Sequence, residues 1–253
     1  MVKIKSMWAL VRALWLTGAG SMRVAWLARA AENGDTSATS AIRTLIMAWC
    51  RRLLTLFSMR VETIWRGDVP SANGRYYVIM SNHVSHLDIP LILLTFDRYQ
   101  LTMIAKKELF SIPLFGKAMR YSRCCLELDR QNGGRAMETL QNAIALMEYG
   151  GMVWIAPEGS RSRNGQLGRF KRGGFWLAQQ SGAIIVPVTI VGSGKVLPAD
   201  HWLPQLGRTV KVIVGPWVDT QDGDLQDTEQ LMQKVKAILT DNLTRYGGSE
   251  YAG

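Results

Sequence analysis

Two apolar stretches open the chain, and charges interrupt both. From Met7 to Ala30 the chain runs for about the length of a bilayer span, but its apolar run is interrupted by Arg12 and Arg23. On a helix advancing about 100° per residue, Lys5, Arg12 and Arg23 fall nearly on one line while apolar residues cover the rest of the cylinder. That distribution predicts a helix lying in, or dipping into, one leaflet. A polar connector, Glu32 to Ser40, leads to a second apolar stretch, Ala41 to Met59, broken by Arg43 and the pair Arg51-Arg52. Together they predict a two-helix, membrane-associated hairpin over residues 1–59. A cleaved signal peptide is the competing reading, since Lys3 and Lys5 precede an apolar run and Ala28-Arg29-Ala30 mimics a small-residue cleavage site. Arg12 and Arg23 inside that run weigh against it.

After residue 60 the pattern changes to short β-like runs alternating with helical ones. Strands are expected at Arg60 to Trp65, Tyr76 to Met80, Leu101 to Ile104, Cys124 to Leu128, Val153 to Ala156, Ile184 to Val191 and Val210 to Val214. Met137, Leu140, Ile144 and Met147 mark a helix over Gly134 to Tyr149, and Leu231, Val235, Ile238 and Leu239 mark a closing helix. This alternation predicts one α/β domain over residues 60–253. No internal repeat interrupts it, and the polar insert Asp219 to Thr228 precedes the last helix.

Charge sharpens the reading of the first region. The formal net charge is +10, and residues 1–66 hold ten Lys/Arg against three Asp/Glu, so 10 − 3 = +7 of it sits there with five of the nine Trp. Each basic residue gains on the order of 1 kcal/mol near an anionic leaflet, and Trp favours the headgroup level. Nucleic acid is the competing anion, but the basic residues are interleaved with long apolar runs and no DNA or RNA motif is present. Three cysteines, Cys50, Cys124 and Cys125, form an odd, unspaced set, which argues against a disulfide framework or a CxxC metal site and for a reducing compartment. Gly192-Ser193-Gly194-Lys195 has the outline of a phosphate-binding loop, but Thr189 stands at the required first Gly and Val196 at the Ser/Thr, so nucleotide binding there is rejected.

Candidate chemistry gathers just after the second expected strand, where two of the three histidines, His83 and His86, precede Asp88. On one continuous helix, five residues would place His83 and Asp88 about 140° apart, so a turn is needed to bring them together. Pro90 supplies it, being accepted only in a first helical turn, which places Asp88 at or near the N-cap of a helix Ile89 to Leu94 with His83 on the preceding loop. There Asp88 could fix the imidazole tautomer and leave the other ring nitrogen as a general base worth roughly 10² to 10⁴ in rate. Spacing alone leaves open a plain helix cap beside a surface histidine, or metal ligation by His83, His86 and Asp88 in a metal-dependent hydrolase.

Four ordered blocks narrow this. Asn82-His83-Val84-Ser85-His86-Leu87-Asp88 resembles the NHxSxxD motif of the glycerolipid acyltransferases that make phosphatidic acid. Ala105 to Leu109 with Ile112 to Gly116 resembles the stretch between the family's first two motifs, and Leu128-Asp129-Arg130 the end of its second. Pro157-Glu158-Gly159-Ser160-Arg161-Ser162 resembles the third motif and Val186-Pro187-Val188 the fourth, so the likeness spans roughly residues 60 to 215. Glu127, Ala156 and Ser160 depart from it, where the family usually has an apolar residue, Phe and Thr.

The resemblance implies a single domain with a mixed β-sheet flanked by helices. It implies that His83 deprotonates an acceptor hydroxyl, which attacks an acyl thioester while Asp88 orients His83, with no metal, cofactor or acyl-enzyme. The expected reaction moves a fatty acyl group from acyl-CoA or acyl carrier protein, as cosubstrate, to the sn-2 hydroxyl of lysophosphatidic acid. Glycerol-3-phosphate or another lysolipid is the alternative acceptor. Glu158, Gly159 and Arg161 are implied in acceptor binding. Arg130 and Arg161 suit a phosphate because the guanidinium fork matches it, and Lys106 is a further candidate. With the hairpin as anchor, the expected location is the cytoplasmic face of the cell inner membrane, with the lipid bilayer as partner and no nucleic acid.

Overall fold

The computed structural model describes residues 2–32, 36–67, 74–122, 124–148, 150–223 and 227–247. Residues 33–35 of the expected connector, Tyr149 and residues 224–226 of the polar insert lie outside these. Helices α1 (Val2–Glu32) and α2 (Thr36–Leu56) come first. Both start earlier than their apolar stretches, and most of the expected polar connector is helical. The strands then follow as β1 (Arg60–Trp65), β2 (Tyr77–Ser81), β3 (Leu101–Lys106), β4 (Cys125–Leu128), β5 (Met152–Ile155), β6 (Ile184–Val191), β7 (Thr209–Val214) and β8 (Val218–Asp219). Seven match the expected runs to within two residues at either end. The two-residue β8 is too short to leave a pattern.

All eight strands form one mixed sheet in the order β1-β7-β6-β2-β5-β3-β4, with β8 beside β6. From β6 to β4 the strands are parallel, and β7 turns the other way, with β1 parallel to it. The central strands β2 and β6 are buried throughout, which is why they read as unbroken apolar runs. Pro187 sits in β6 without disrupting it. It falls between the short ladder to β8 at Ile184 and Ile185 and the ladder to β7 that begins at Val188.

Alternate strand residues face opposite layers. Val78, Met80, Val153 and Ile185 pack under α5 (Gly133–Glu148), α6 (Arg172–Ser181) and α8 (Thr228–Gly247). Ile79, Met103, Trp154 and Val186 pack on the other side against α2 and α3 (Asp88–Thr95), joined by Ala9 and Ala13 of α1. A 3-10 turn (Lys107–Ser111) and α4 (Phe115–Tyr121) close the β3 to β4 connection, and α7 (Ser193–Val196) follows β6.

Small residues give α1 its inner face: Ala9 and Ala13 meet Cys50, Leu53 and Phe57, while Val24 and Ala28 meet Ile42. The two helices therefore run side by side in opposite directions, with the Trp49 indole donating to Thr17 Oγ1 at 3.1 Å. Arg43 and Arg51, which interrupt the second apolar stretch, tie α2 to the end of α3. Arg43 donates to the carbonyls of Asp97 (2.6 Å) and Tyr99 (2.8 Å), and Arg51 pairs with the Asp97 carboxylate at 3.1 Å. Among the described residues no helix is long and apolar enough to cross a membrane.

Candidate active site

The first three motifs and the stretch after β3 lie at or beyond the carboxyl ends of parallel strands, where open α/β sheets place their sites, while Val186-Pro187-Val188 lies within β6. β2 ends at Ser81, and the side chain of the next residue, Asn82, takes over the ladder. Its Nδ2 donates to Ile190 O at 2.9 Å and its Oδ1 accepts from Ile190 N–H at 2.7 Å. The backbone is thereby freed to turn away, carrying His83 over the sheet edge.

His83 Nδ1 lies 2.8 Å from Asp88 Oδ2, the contact the turn was expected to make. Asp88 is the first residue of α3, but it does not cap that helix. Its carboxylate faces back into the preceding loop, where Oδ2 also accepts the amides of Val84 (2.7 Å) and Ser85 (2.8 Å). The opposite oxygen, Oδ1, accepts from the Ser193 hydroxyl at 2.5 Å. A carboxylate with no exposed surface requires such saturation, because an unmet lone pair on a buried charge is costly. Bonded in this way it accepts a hydrogen bond from Nδ1–H, so the lone pair of the imidazole sits on Nε2, and 16% of the His83 side chain remains open to solvent.

The third block holds His83 from its other side. Glu158 Oε1 accepts the His83 amide (3.3 Å), Glu158 Oε2 accepts the Gly168 amide (2.8 Å), and Ser162 N–H donates to His83 O (2.7 Å). Burial pushes the Glu158 carboxyl above its ordinary pKa, and the two amides oppose that rise. The His83 ring meets Trp154 in a T-shaped contact, with centroids 5.8 Å apart, and the indole N–H is fixed by Ser81 Oγ at 3.0 Å.

Cations form the rim. Arg130 Nη1 donates to Gly159 O, and Gly159 has φ +74°; an added Cβ would stand 3.2 Å from Arg130 Nη1, so both the turn and the close approach favour glycine. Among the described residues Arg161 makes one hydrogen bond, to Ala199 O at 3.4 Å, and its charge reaches His86. Desolvation first, then Arg161, pushes the His86 pKa down to about 4. Lys106, at the exposed end of β3, joins none of these groups through a hydrogen bond or ion pair among the described residues. Nor do those residues contain a set of three or more His, Cys, Asp or Glu placed to hold a metal.

Residues 62–191 match the protein-family model described as Acyltransferase, about half of the chain. The chain belongs to the acyltransferase family. A 1-acyl-sn-glycerol-3-phosphate acyltransferase of Pseudomonas aeruginosa is 27% identical over 206 residues, covering 79% of this chain and 77% of that protein. The chloroplastic 1-acyl-sn-glycerol-3-phosphate acyltransferase BAT2 of Brassica napus is 37% identical over 121 residues, covering 48% of this chain and 34% of its own. LPAT1 of Arabidopsis thaliana is 36% identical over 138 residues, covering 54% and 36%. This chain thus matches about a third of the length of the two plant relatives. The crystal structure of the 1-acyl-sn-glycerophosphate acyltransferase PlsC from Thermotoga maritima shares the fold, with a TM-score of 0.76 and 24% identity over 97% of both chains.

The acyltransferase match contains His83, Asp88, Lys106, Arg130, Glu158, Gly159 and Arg161 and stops two residues short of Ser193. Ser193 and Trp154 are the site neighbours that sequence reading missed. Ser193 sat in a segment considered only for phosphate binding, and Trp154 in an expected strand to which no role was assigned. Trp154 also walls an apolar cavity of about 150 Å³ between α1, α2, α3, β3 and α4, with Trp49, Leu93, Met103, Met119 and Cys125 among its lining. The three cysteines are free, and burial pushes the Cys50 thiol up to about 12 and Cys125 upward as well.

Proposed function

We propose that this acyltransferase moves a fatty acyl group from acyl-CoA or acyl carrier protein to the sn-2 hydroxyl of lysophosphatidic acid, giving phosphatidic acid. The observation that carries the reading is the buried Asp88 carboxylate on His83 Nδ1, which leaves Nε2 as the base. Nε2 takes the proton of the acceptor hydroxyl as its oxygen attacks the thioester carbonyl carbon. The tetrahedral intermediate collapses by breaking the C–S bond, and the imidazolium returns the proton to the departing thiolate. Asp88 fixes the tautomer of the neutral imidazole and stabilises the imidazolium that forms, without accepting the proton itself.

Supporting features divide the substrate. The apolar cavity beside Trp154 suits a hydrocarbon chain ending near His83. Arg130 and Arg161 on the rim offer guanidinium donors to the acceptor phosphate, with Lys106 as a further cation, Gly159 holding Arg130 through its carbonyl and Glu158 holding the His83 amide. Along α1, Trp8, Trp15 and Trp26 face outward, the last two 74% and 70% exposed, and Lys5, Arg12 and Arg23 flank them. A helix with that surface suits the headgroup layer of an anionic bilayer, which supports a location at the cytoplasmic face of the inner membrane, beside the lipid acceptor.

Thioester consumption with lysophosphatidic acid tests the reading. Wild type should turn over, and His83→Ala should lose roughly 10²-fold or more; activity surviving that substitution would sink the assignment. Turnover on glycerol-3-phosphate in place of lysophosphatidic acid would move the acceptor and keep the chemistry.

A further inference from the structure

On the face of the sheet away from α1 and α2, a cleft of about 810 Å³ opens between the segment entering α6 and the first turns of α8. Its volume falls within the range of small-molecule sites, about 300 to 1,000 Å³. Arg169, Lys171, Arg172 and Lys236 line it against a single acid, Glu229, so 4 − 1 = +3. Arg172 and Glu229 pair at 3.8 Å with both side chains largely exposed, a contact of little energetic weight. Arg169, Lys171 and Lys236 have no acidic partner among the described residues. Cations converging on one concavity repel one another and raise the local concentration of anions.

This cleft is joined to the catalytic loop. One of its walls is Gly168, whose amide is held by Glu158 Oε2, while Glu158 Oε1 holds the amide of His83. Lys171 N–H donates to Pro157 O at 2.7 Å, fixing the cleft to the third motif a second time. The segment follows β5 and therefore leaves the sheet at the same edge as His83.

The anion it takes must come from solution. The outward apolar face of α1 lies on the opposite side of the sheet, so a bilayer resting there is remote from the cleft. In the acyl-transfer reading, on which this inference rests, the acceptor arrives from the membrane and the thioester donor from water. We propose that the cleft binds the diphosphate and ribose phosphate of coenzyme A, with Arg169 as the guanidinium fork and Lys171 and Lys236 as point charges. A concave site suits a nucleotide better than the convex face of a carrier protein.

The test is donor kinetics of wild type, Arg169→Glu, Lys236→Glu and the double variant, all at exposed positions. The KM for acyl-CoA is expected to rise roughly tenfold in each single variant, about 1.4 kcal/mol, and further in the double. The KM for lysophosphatidic acid should hold, and an acyl-pantetheine donor lacking phosphates should react alike with every variant. An unchanged KM for acyl-CoA, an equal loss with acyl-pantetheine, a shift in the lysophosphatidic acid KM instead, or an effect confined to acyl carrier protein would each overturn it. Calorimetry with free coenzyme A separates the two readings. A protein that transfers no acyl group refutes the acyl-transfer reading, whereas equal coenzyme A binding by wild type and the double variant refutes the cleft.

Discussion

The space behind His83 and the rim in front of it are built in opposite ways. Behind it, Asp88 has no exposed surface and receives four donors, three from its own loop and one from Ser193. In front, among the described residues, Arg130 commits one donor to Gly159 O, the half-buried Arg161 makes one long contact to a carbonyl, and the exposed Lys106 makes none to the site. A buried charge must be met in full by the protein, since solvent cannot reach it. A cation awaiting a phosphate must keep its donors uncommitted. In the acyl-transfer reading the base is therefore set before any substrate arrives, and recognition is left to groups that settle on the ligand.

Asp88→Asn should break the comparison most sharply. An amide can keep its oxygen toward the three loop donors and turn its NH₂ to the Ser193 hydroxyl, so the fold should persist while kcat falls on the order of 10⁴-fold. Near-normal kcat in a folded variant would mean the interior is scaffold only. Ser193→Ala removes the one donor from outside the loop. It should cost about 1.5 to 3 kcal/mol in urea unfolding and roughly tenfold in kcat, equivalent to about 1.4 kcal/mol. The smallest effect belongs to the rim. His86 has a folded pKa of about 4, below its ordinary 6.5, so between those values the unfolded chain binds more protons and stability declines as pH falls through that window. Desolvation is the larger cause and Arg161 the next, so Arg161→Gln should lessen that decline while raising the KM for lysophosphatidic acid. Urea midpoints at pH 4.5 and 7 measure the first, and acceptor kinetics the second.

Much of this architecture was legible, for physical reasons that differ by element. β2 and β6 are covered on both faces and so had to be apolar throughout; their order in the sheet, with β6 and β7 between β2 and β1, leaves no local trace. Arg43 illustrates the limit on the helical side. It read as an interruption of an apolar stretch, while its partners are carbonyls more than fifty residues away. In the site, Pro90 fixed the turn that unites His83 and Asp88, yet the same logic made Asp88 a helix cap. Spacing places a carboxylate at a helix start without saying which amides it will face. Ser193 was unreadable because a lone serine after a strand has many uses, and only the fold brings it beneath Asp88.

That distant serine ties chemistry to the order of assembly. Ser193 stands 105 residues beyond Asp88, and Asn82 leans on a strand residue 108 further along. A nascent chain ending before β6 already carries both members of the dyad, yet has neither the ladder that turns its loop nor the hydroxyl behind its carboxylate. Such a fragment lacks the contacts that hold His83 and Asp88 together, so in the acyl-transfer reading incomplete chains should leave the cell's thioesters intact.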